Sequence, residues 1–200
     1  YAQSEVINRS KSEFTGKLGT GYADKPGKLG LDVSVSYLYA FDRLFAAGLE
    51  GGLFWIEWER TLGTKEVGQT VGDVKAETNA YNFPVFFDAQ IRYPIRLGNA
   101  LLEPAVTVGL GWDFMIMNNA IPEYEKNLGN GTSETRESKD QTDFYHSFAW
   151  QAYLSCAFKP EISKIAFVLD LGYRGMLPED DGLEFNMSGF IAKFGVRFYL

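Results

Sequence analysis

The sequence predicts an all-β fold: an eight-stranded antiparallel up-and-down β-barrel that crosses a membrane on its strands. Three observations carry this. Eight runs of residues alternate apolar and polar at period two, with almost no helical periodicity. The connections between them alternate between short turns and longer polar stretches. The apolar face of the runs is also far bulkier than the polar face, which settles which side can point inward.

The first run, about 13–24, sets Phe14, Leu18 and Tyr22 against Lys17, Gly19 and Gly21. The second, about 28–41, alternates Leu29, Leu31, Val33, Val35, Tyr37, Tyr39 and Phe41 with Gly30, Asp32, Ser34 and Ser36. The third, about 45–58, opposes Phe45, Ala47, Leu49, Leu53 and Trp55 to Gly48, Glu50 and Gly52. The fourth, about 79–94, is the most regular: Tyr81, Phe83, Val85, Phe87, Ala89, Ile91 and Tyr93 interleave with Asn82, Pro84, Phe86, Asp88, Gln90 and Arg92. The fifth, about 100–116, sets Leu102, Val106, Val108, Leu110, Trp112, Phe114 and Ile116 against Glu103, Thr107, Gly109, Gly111 and Asp113. In the sixth, about 144–158, Phe148, Trp150, Ala152, Leu154, Cys156 and Phe158 oppose Ser147, Gln151, Tyr153 and Ser155. The seventh, about 164–175, pairs Ile165, Phe167, Leu169, Leu171 and Tyr173 with Asp170, Gly172 and Arg174. The eighth closes the chain as EFNMSGFIAKFGVRFYL, with Phe190, Phe194, Val196, Phe198 and Leu200 on one face and Lys193 and Arg197 on the other.

The connections DRL, IRLGN and PEISK are short, whereas about 60–78 and about 118–143 are long and polar, and a moderate one surrounds GMLPEDDG. An even strand number with the short turns on one side and the long loops on the other is the layout of a membrane barrel, and unstructured loops of this length are unusual in a compact soluble domain. The same strand pattern could also build a soluble cup with its apolar face inside. Volume excludes that, because an eight-stranded barrel has room inside only for its own side chains. The Gly, Ser and Ala of the polar face fit; a face of Phe, Tyr and Trp does not. The apolar face therefore looks outward, where a band of that size is tolerated only by lipid.

Aromatic residues bracket an aliphatic middle. Tyr93, Phe158 and Phe198, with Phe14, Phe41 and Phe45, fall near the short-turn ends, and Tyr22, Trp55, Tyr81, Trp112, Trp150 and Tyr173 near the long-loop ends. Two such rings match the interfacial girdles of membrane barrels.

Composition narrows the function. The net charge is −7, and the Lys and Arg residues are dispersed rather than gathered in a stripe, so a nucleic-acid partner is not expected. A single cysteine allows neither an internal disulfide nor a multi-cysteine metal site. No apolar stretch approaches the length of a transmembrane helix. The opening YAQSEVINRSKS is polar and irregular, as a segment before the first strand would be, and divides the chain into a segment 1–12 and a barrel domain 13–200.

The pattern over about residues 13–200 resembles the small eight-stranded bacterial outer-membrane β-barrel proteins, the class that includes the OmpA transmembrane domain, OmpX and OmpW. Its last strand, alternating and aromatic at Phe198, is similar to the signal read by the outer-membrane insertion machinery, although Leu200 stands where Phe is usual. The resemblance implies a bacterial outer-membrane location, outer-membrane lipid as surroundings, short turns in the periplasm with segment 1–12, and long loops outside the cell. The loops 60–78 and 118–143 would then be the surface for any external ligand.

Counting from the short-turn end places Lys17, Glu50, Asp88, Asp170 and Lys193 near mid-height inside the barrel, with Arg92, Glu103 and Arg197 lower. Charges confined in a narrow lumen must pair, so a salt-bridge network is expected. It reads either as a gate or polar plug, as the resemblance to OmpA implies, or as the filling of the barrel. No catalytic residue, metal or cofactor is expected. His146 and Ser147 are adjacent on a strand and so face opposite sides. Lipid A deacylases use a His and a Ser two apart, and FYHSFAW lacks that spacing. Cys156 falls on the lipid face, PEDDG reads as a solvated acidic loop rather than a Ca²⁺ site, and the glycines of GTGYAD and GLGWDF lie on strands rather than before a helix. The expected function is a non-enzymatic outer-membrane barrel with a polar, plugged lumen, serving membrane integrity or surface interaction. The alternative is a narrow pore for small or hydrophobic solutes.

Overall fold

The computed structural model describes residues 11–67, 70–127, 133–160, 163–178 and 186–200. In chain order the strands are β1 (Ser12–Ala23), β2 (Lys28–Ala40), β3 (Phe45–Val67), β4 (Thr70–Arg92), β5 (Ile95–Leu97), β6 (Ala100–Ile121), β7 (Tyr124–Asn127), β8 (Ser133–Arg136), β9 (Lys139–Pro160), β10 (Ile165–Pro178) and β11 (Gly189–Tyr199). β1, β2, β3, β4, β6, β9, β10 and β11 form a ring of eight antiparallel strands, closed where β11 pairs with β1 from Glu13↔Tyr199 to Gly21↔Ile191. Closure leaves the membrane-spanning part without an unpaired edge, which lipid requires because it offers no hydrogen bonds to backbone groups.

The ring is staggered. Stepping across hydrogen-bonded partners from Tyr81 leads through Trp55, Leu31, Thr20, Ala192, Leu171, Leu154 and Val106, and returns to β4 at Ile91, ten residues from the start. A stagger of this order goes with strands tilted by about 35–45° from the barrel axis. Side chains alternate strictly between a buried and an exposed side, and the exposed side is the apolar one. At mid-strand, Leu18, Leu110, Leu154 and Phe194 are all more than half exposed. A closed barrel that shows such a belt all the way round presents it to hydrocarbon. Among the described residues, no helix is long and apolar enough to cross a membrane.

One expectation is corrected. The stretches 60–78 and 118–143, read from the sequence as long polar loops, are largely strand. β3 and β4 run on as one hairpin to Val67↔Thr70, and β6 and β9 stay paired out to Ile121↔Lys139, with β7 and β8 forming a smaller hairpin that touches β3 at Thr64↔Glu125. The reason is physical: beyond the lipid both faces of a strand meet water or loop, so the apolar alternation that marks a buried strand disappears while the backbone ladder continues. The barrel is consequently lopsided. β3, β4, β6 and β9 have 22 or 23 residues, and β1, β2, β10 and β11 have 11 to 14. A tilted strand needs only about 9–11 residues to span the bilayer, so the tall half projects well beyond it. Segment 1–12 lies outside the described residues up to Ser10, and PEDDG beyond Pro178 does as well.

The turns between strands use residues suited to them. Gly27 and Gly98 adopt positive φ (76° and 57°) in the β1–β2 and β5–β6 turns, a conformation L side chains rarely adopt. Asp42 caps the β2–β3 turn by accepting the backbone N–H groups of Leu44 and Phe45 at 2.6 and 2.8 Å.

Candidate functional site in the barrel lumen

The buried face of the ring encloses a lumen filled in layers. At its centre Glu50, on β3, lies between two ammonium groups: Lys17 Nζ on β1 is 2.7 Å from Oε2, and Lys193 Nζ on β11 is 2.7 Å from Oε1. Lys17 also sits 2.7 Å from Asp170 Oδ2 on β10, and Asp170 accepts from the Ser155 hydroxyl at 2.6 Å. The Tyr153 hydroxyl on β9 lies between Glu50 Oε2 at 3.2 Å and Asp88 Oδ2 at 3.3 Å, and Gln151 donates to Asp88 Oδ1 at 2.9 Å. Lys17 stands 4.8 Å over the Tyr153 ring. Side chains of six strands thus meet in one layer, every charged member buried.

Nearer the short turns a second layer forms a square. Arg92 Nη1 is 2.6 Å from Glu13 Oε1 and 3.5 Å from Glu103 Oε1, while Arg197 Nη1 is 3.2 Å from Glu103 Oε1 and 3.5 Å from Glu13 Oε2. Gln90 orients Arg92 by accepting from its Nε at 2.6 Å and donates to Thr107 at 2.7 Å. Toward the long strands a third layer pairs Arg174 with Asp32 at 3.0 Å and lays the guanidinium 5.6 Å over the Phe86 ring. Asp113 faces the same level of the lumen, fully buried.

All eight charges expected from the sequence lie in this column: Lys17, Glu50, Asp88, Asp170 and Lys193 in the central layer, Arg92, Glu103 and Arg197 in the lower one. Sequence reasoning missed Glu13, Asp32, Asp113 and Arg174, and the contribution of Tyr153. The available signal was the alternation itself, since each stands on the polar face of its run. Buried like this, an ion pair's Coulomb attraction is set against the desolvation of both partners, so the geometry holds only as a connected set.

Toward the outer end of the lumen apolar side chains gather beside the buried Thr78, Asn82 and Ser188. Ala23, Phe54, Ile56, Ala80, Met115 and Met187 form a buried cluster with Trp58, Tyr145 and Met176 packed against it. Three of the chain's four methionines are therefore in this cap, and the fourth, Met117, is buried one lumen position further out on β6. The other end carries smaller apolar clusters, one of Leu38, Ala40 and Ala46 and one of Ala157, Ala166, Val168 and Tyr199. The cap escaped the sequence reading because both faces of β3 and β6 are apolar there (Trp55 and Ile56, Phe114 and Met115), which blurs the period of two.

The aromatics expected at the membrane boundaries all point outward. Tyr22, Trp55, Tyr81, Trp112, Trp150 and Tyr173 lie toward the long-strand side, and Tyr93, Phe158 and Phe198 toward the turns. On the tall strands Trp112 and Trp150 stand well short of the strand ends. Trp150 stacks on Tyr173 at 5.8 Å, Tyr173 meets Phe190 edge-on at 5.4 Å, and the Tyr173 hydroxyl donates to Asp24 at 2.6 Å. Above this level, on the projecting β3–β4 hairpin, Lys75 donates to Glu59 at 2.8 Å; that hydrogen bond holds the Glu59 carboxyl below the usual glutamate range and raises Lys75. His146 is exposed on the outer side of β9 and Ser147 is buried inside, so the two face opposite sides of the wall. Cys156 is half-buried on the lipid side. Among the described residues, no group of three or more His, Cys, Asp or Glu is arranged to hold a metal ion.

No protein-family model and no curated protein sequence matches the chain. Solved structures do. A major outer membrane protein of Thermus thermophilus aligns over 94% of this chain and 98% of its own, with a TM-score of 0.53 and 15% identity. Ail, the attachment invasion locus protein of Yersinia pestis, aligns over 94% and 97% with a TM-score of 0.44 and 18% identity. Neisserial surface protein A aligns over 94% and 96% with a TM-score of 0.42 and 11% identity. At 15% identity the property shared with the Thermus protein is the fold, that of an outer-membrane β-barrel.

Proposed function

We propose that this membrane-spanning barrel is an integral protein of the bacterial outer membrane whose lumen is closed by its own ion pairs. Its tall strands would form an external surface serving membrane integrity or surface interaction. The observation that carries the reading is Glu50, whose two carboxylate oxygens each take a lysine from a different strand at 2.7 Å. With the Arg92–Glu13 and Arg197–Glu103 contacts below it, the lumen is bridged at two heights by side chains reaching across from β4 to β1 and from β11 to β6. The apolar clusters at both ends add to the obstruction. No channel for hydrated solutes is expected through such a column.

The projecting hairpins β3–β4 and β6–β9 are the surface proposed to meet external ligands, in place of flexible loops. Ail has been crystallised with the heparin analogue sucrose octasulfate; here the outer face of the β3–β4 hairpin carries exposed Glu57, Asp73 and Glu77 beside the Glu59–Lys75 pair, an acidic excess that favours a cationic rather than a sulfated partner. Strand β11, with its outward Phe190, Phe194 and Phe198, is proposed as the segment read by the insertion machinery. The test is planar-bilayer recording of the purified protein. Silence or rare, irregular events are expected; steady, reproducible channels would replace the closed barrel with the narrow-pore reading.

A further inference from the structure

Among the described residues the lumen holds seven buried carboxylates and only five buried cations. The lower layer is balanced, Glu13 and Glu103 against Arg92 and Arg197. The central layer sets Glu50, Asp88 and Asp170 against Lys17 and Lys193. Its surplus carboxylate, Asp88, accepts from Gln151 at 2.9 Å and lies 3.3 Å from the Tyr153 hydroxyl. The third layer sets Asp32 and Asp113 against Arg174 alone, and Arg174 is taken by Asp32 at 3.0 Å. Asp113 is 1% exposed, and among the described residues no lysine or arginine forms an ion pair with it. An ionised carboxylate isolated in this way is strongly disfavoured, so a positive charge has to join it.

The neighbours of Asp113 indicate which charge. Three oxygens on consecutive strands of the ring lack a hydrogen-bond partner: Asn82 Oδ1 on β4, Asp113 Oδ1 on β6 and Ser147 Oγ on β9. None of the three residues is more than 5% exposed. Ser147 is the direct cross-strand partner of Asp113, and Asn82 stands diagonal to it, because Asp113 pairs with Pro84. Direct partners on one face have Cβ atoms about 4.5–5.5 Å apart, and diagonal neighbours are about 7–8 Å apart or less, so side chains can converge between them. Asn82 donates its Nδ2 to the Phe54 carbonyl on β3 at 3.2 Å, which turns its Oδ1 the other way, toward β6 and Asp113. A proton on Asp113 could serve only one of the other two oxygens, whereas a cation takes lone pairs from all three. One carboxylate, one amide carbonyl and one hydroxyl make a hard oxygen set, suited to alkali and alkaline-earth ions. The layer lacks a single positive charge, and one carboxylate is too few for a tight divalent site.

We propose that Asp113, Asn82 and Ser147 bind one hard monovalent cation, of the sodium or potassium class, inside the barrel. The ion neutralises the third layer, and the cluster containing Met115, the next lumen-facing residue of β6, lies on its outer side. The site rests on the charges and unpartnered oxygens of the lumen. It does not depend on whether hydrated solutes pass or on what the external hairpins meet.

The test is reversible urea unfolding of the full chain in phosphatidylcholine vesicles, with sodium chloride, and in a parallel series potassium chloride, replacing choline chloride at constant ionic strength. Refolding in each salt gives the ion access to the site. The folding equilibrium constant is expected to rise saturably in at least one series, about elevenfold when the ion stands at ten times its dissociation constant. Asp113→Asn, which keeps the shape and removes the charge, should abolish the rise. Ser147→Ala, the milder change, should shift saturation to several-fold higher salt, and it carries the test should Asp113→Asn fail to fold. A flat response in both series, or one unchanged in these variants, would overturn the site. A saturable response to calcium chloride with none to sodium or potassium would overturn the single charge assigned to the ion.

Discussion

Glu50 joins two lysines that would otherwise repel each other in a space with little water. Neutralising it leaves Lys17 with Asp170, and leaves Lys193 with Asp32 at 3.8 Å and the Ser34 hydroxyl at 3.2 Å. Glu50→Gln is therefore expected to lower unfolding stability by about 3–5 kcal/mol, the usual penalty for breaking a buried pair from one side. Adding Lys193→Met should return part of that loss, because it removes the charge left exposed to its neighbour. Urea unfolding in lipid vesicles measures both; a loss below about 1 kcal/mol would mean the layer behaves as a solvated surface pair. At this scale the sequence was legible through parity alone. Lys17 and Glu50 declared themselves by standing among small residues on polar faces, and Asp88 and Asp170 by the parity of their runs. Parity names the side of the wall and says nothing about partners. Which lysine meets which carboxylate depends on stagger around the ring, and that is not written in any one strand. Asp32, Asp113 and Arg174 were on the right face and Glu13 at the very start of its run; none was assigned because a height estimate made strand by strand loses the stagger.

At the level of elements, alternation located the membrane-spanning strands to within a few residues and misjudged where the tall ones stop. β3 gains about nine residues over its apolar run and β6 about five, all outside the lipid, where polar side chains on both faces no longer distinguish strand from loop. The Glu59–Lys75 pair is a reporter for this region. Its hydrogen bond depresses the Glu59 carboxyl and raises Lys75. The pair's contribution is therefore fully present above the unfolded glutamate value of about 4.3 and fades as pH falls through the lower folded value; at the alkaline end it is lost only as pH rises past the raised Lys75 value. Both side chains are open to solvent, so the energetic effect is small. A carboxyl-carbon NMR titration of the folded protein should show Glu59 ionising below the ordinary glutamate range, and Lys75→Ala should bring it back up. An unchanged Glu59 titration in Lys75→Ala would mean the hairpin does not hold the two together in solution.

For the molecule as a whole, the decisive property is that its greasiest surface faces out. Phe194 lies at mid-length of β11, stacked on Phe167 at 6.1 Å and 56% exposed. In lipid, Phe194→Arg should cost about 2–4 kcal/mol, as a cation near the bilayer midplane does, with a smaller cost for an arginine near either aromatic ring. Equilibrium folding into vesicles reads this depth dependence; a flat profile along the belt would contradict the membrane placement. Strand count followed from the eight alternating runs, and the outward placement of the apolar face from the volume argument, because bulky faces cannot share a narrow interior. The lopsided height did not follow, since it depends on ladders that continue where hydrophobic patterning has ended.

The ten-residue return from Tyr81 to Ile91 has a consequence for assembly. That offset is the sum of every register around the ring, so the final joining of β1 to β11 audits all the pairings made before it. A slip of one residue anywhere would present Lys17 or Lys193 to hydrocarbon at the closing seam. A slip of two would keep the faces correct and still carry Lys17 away from Asp170 and Glu50. The charged column thus works as a combination lock: only one set of registers brings the tumblers into line, and the barrel that closes is the one in which they meet.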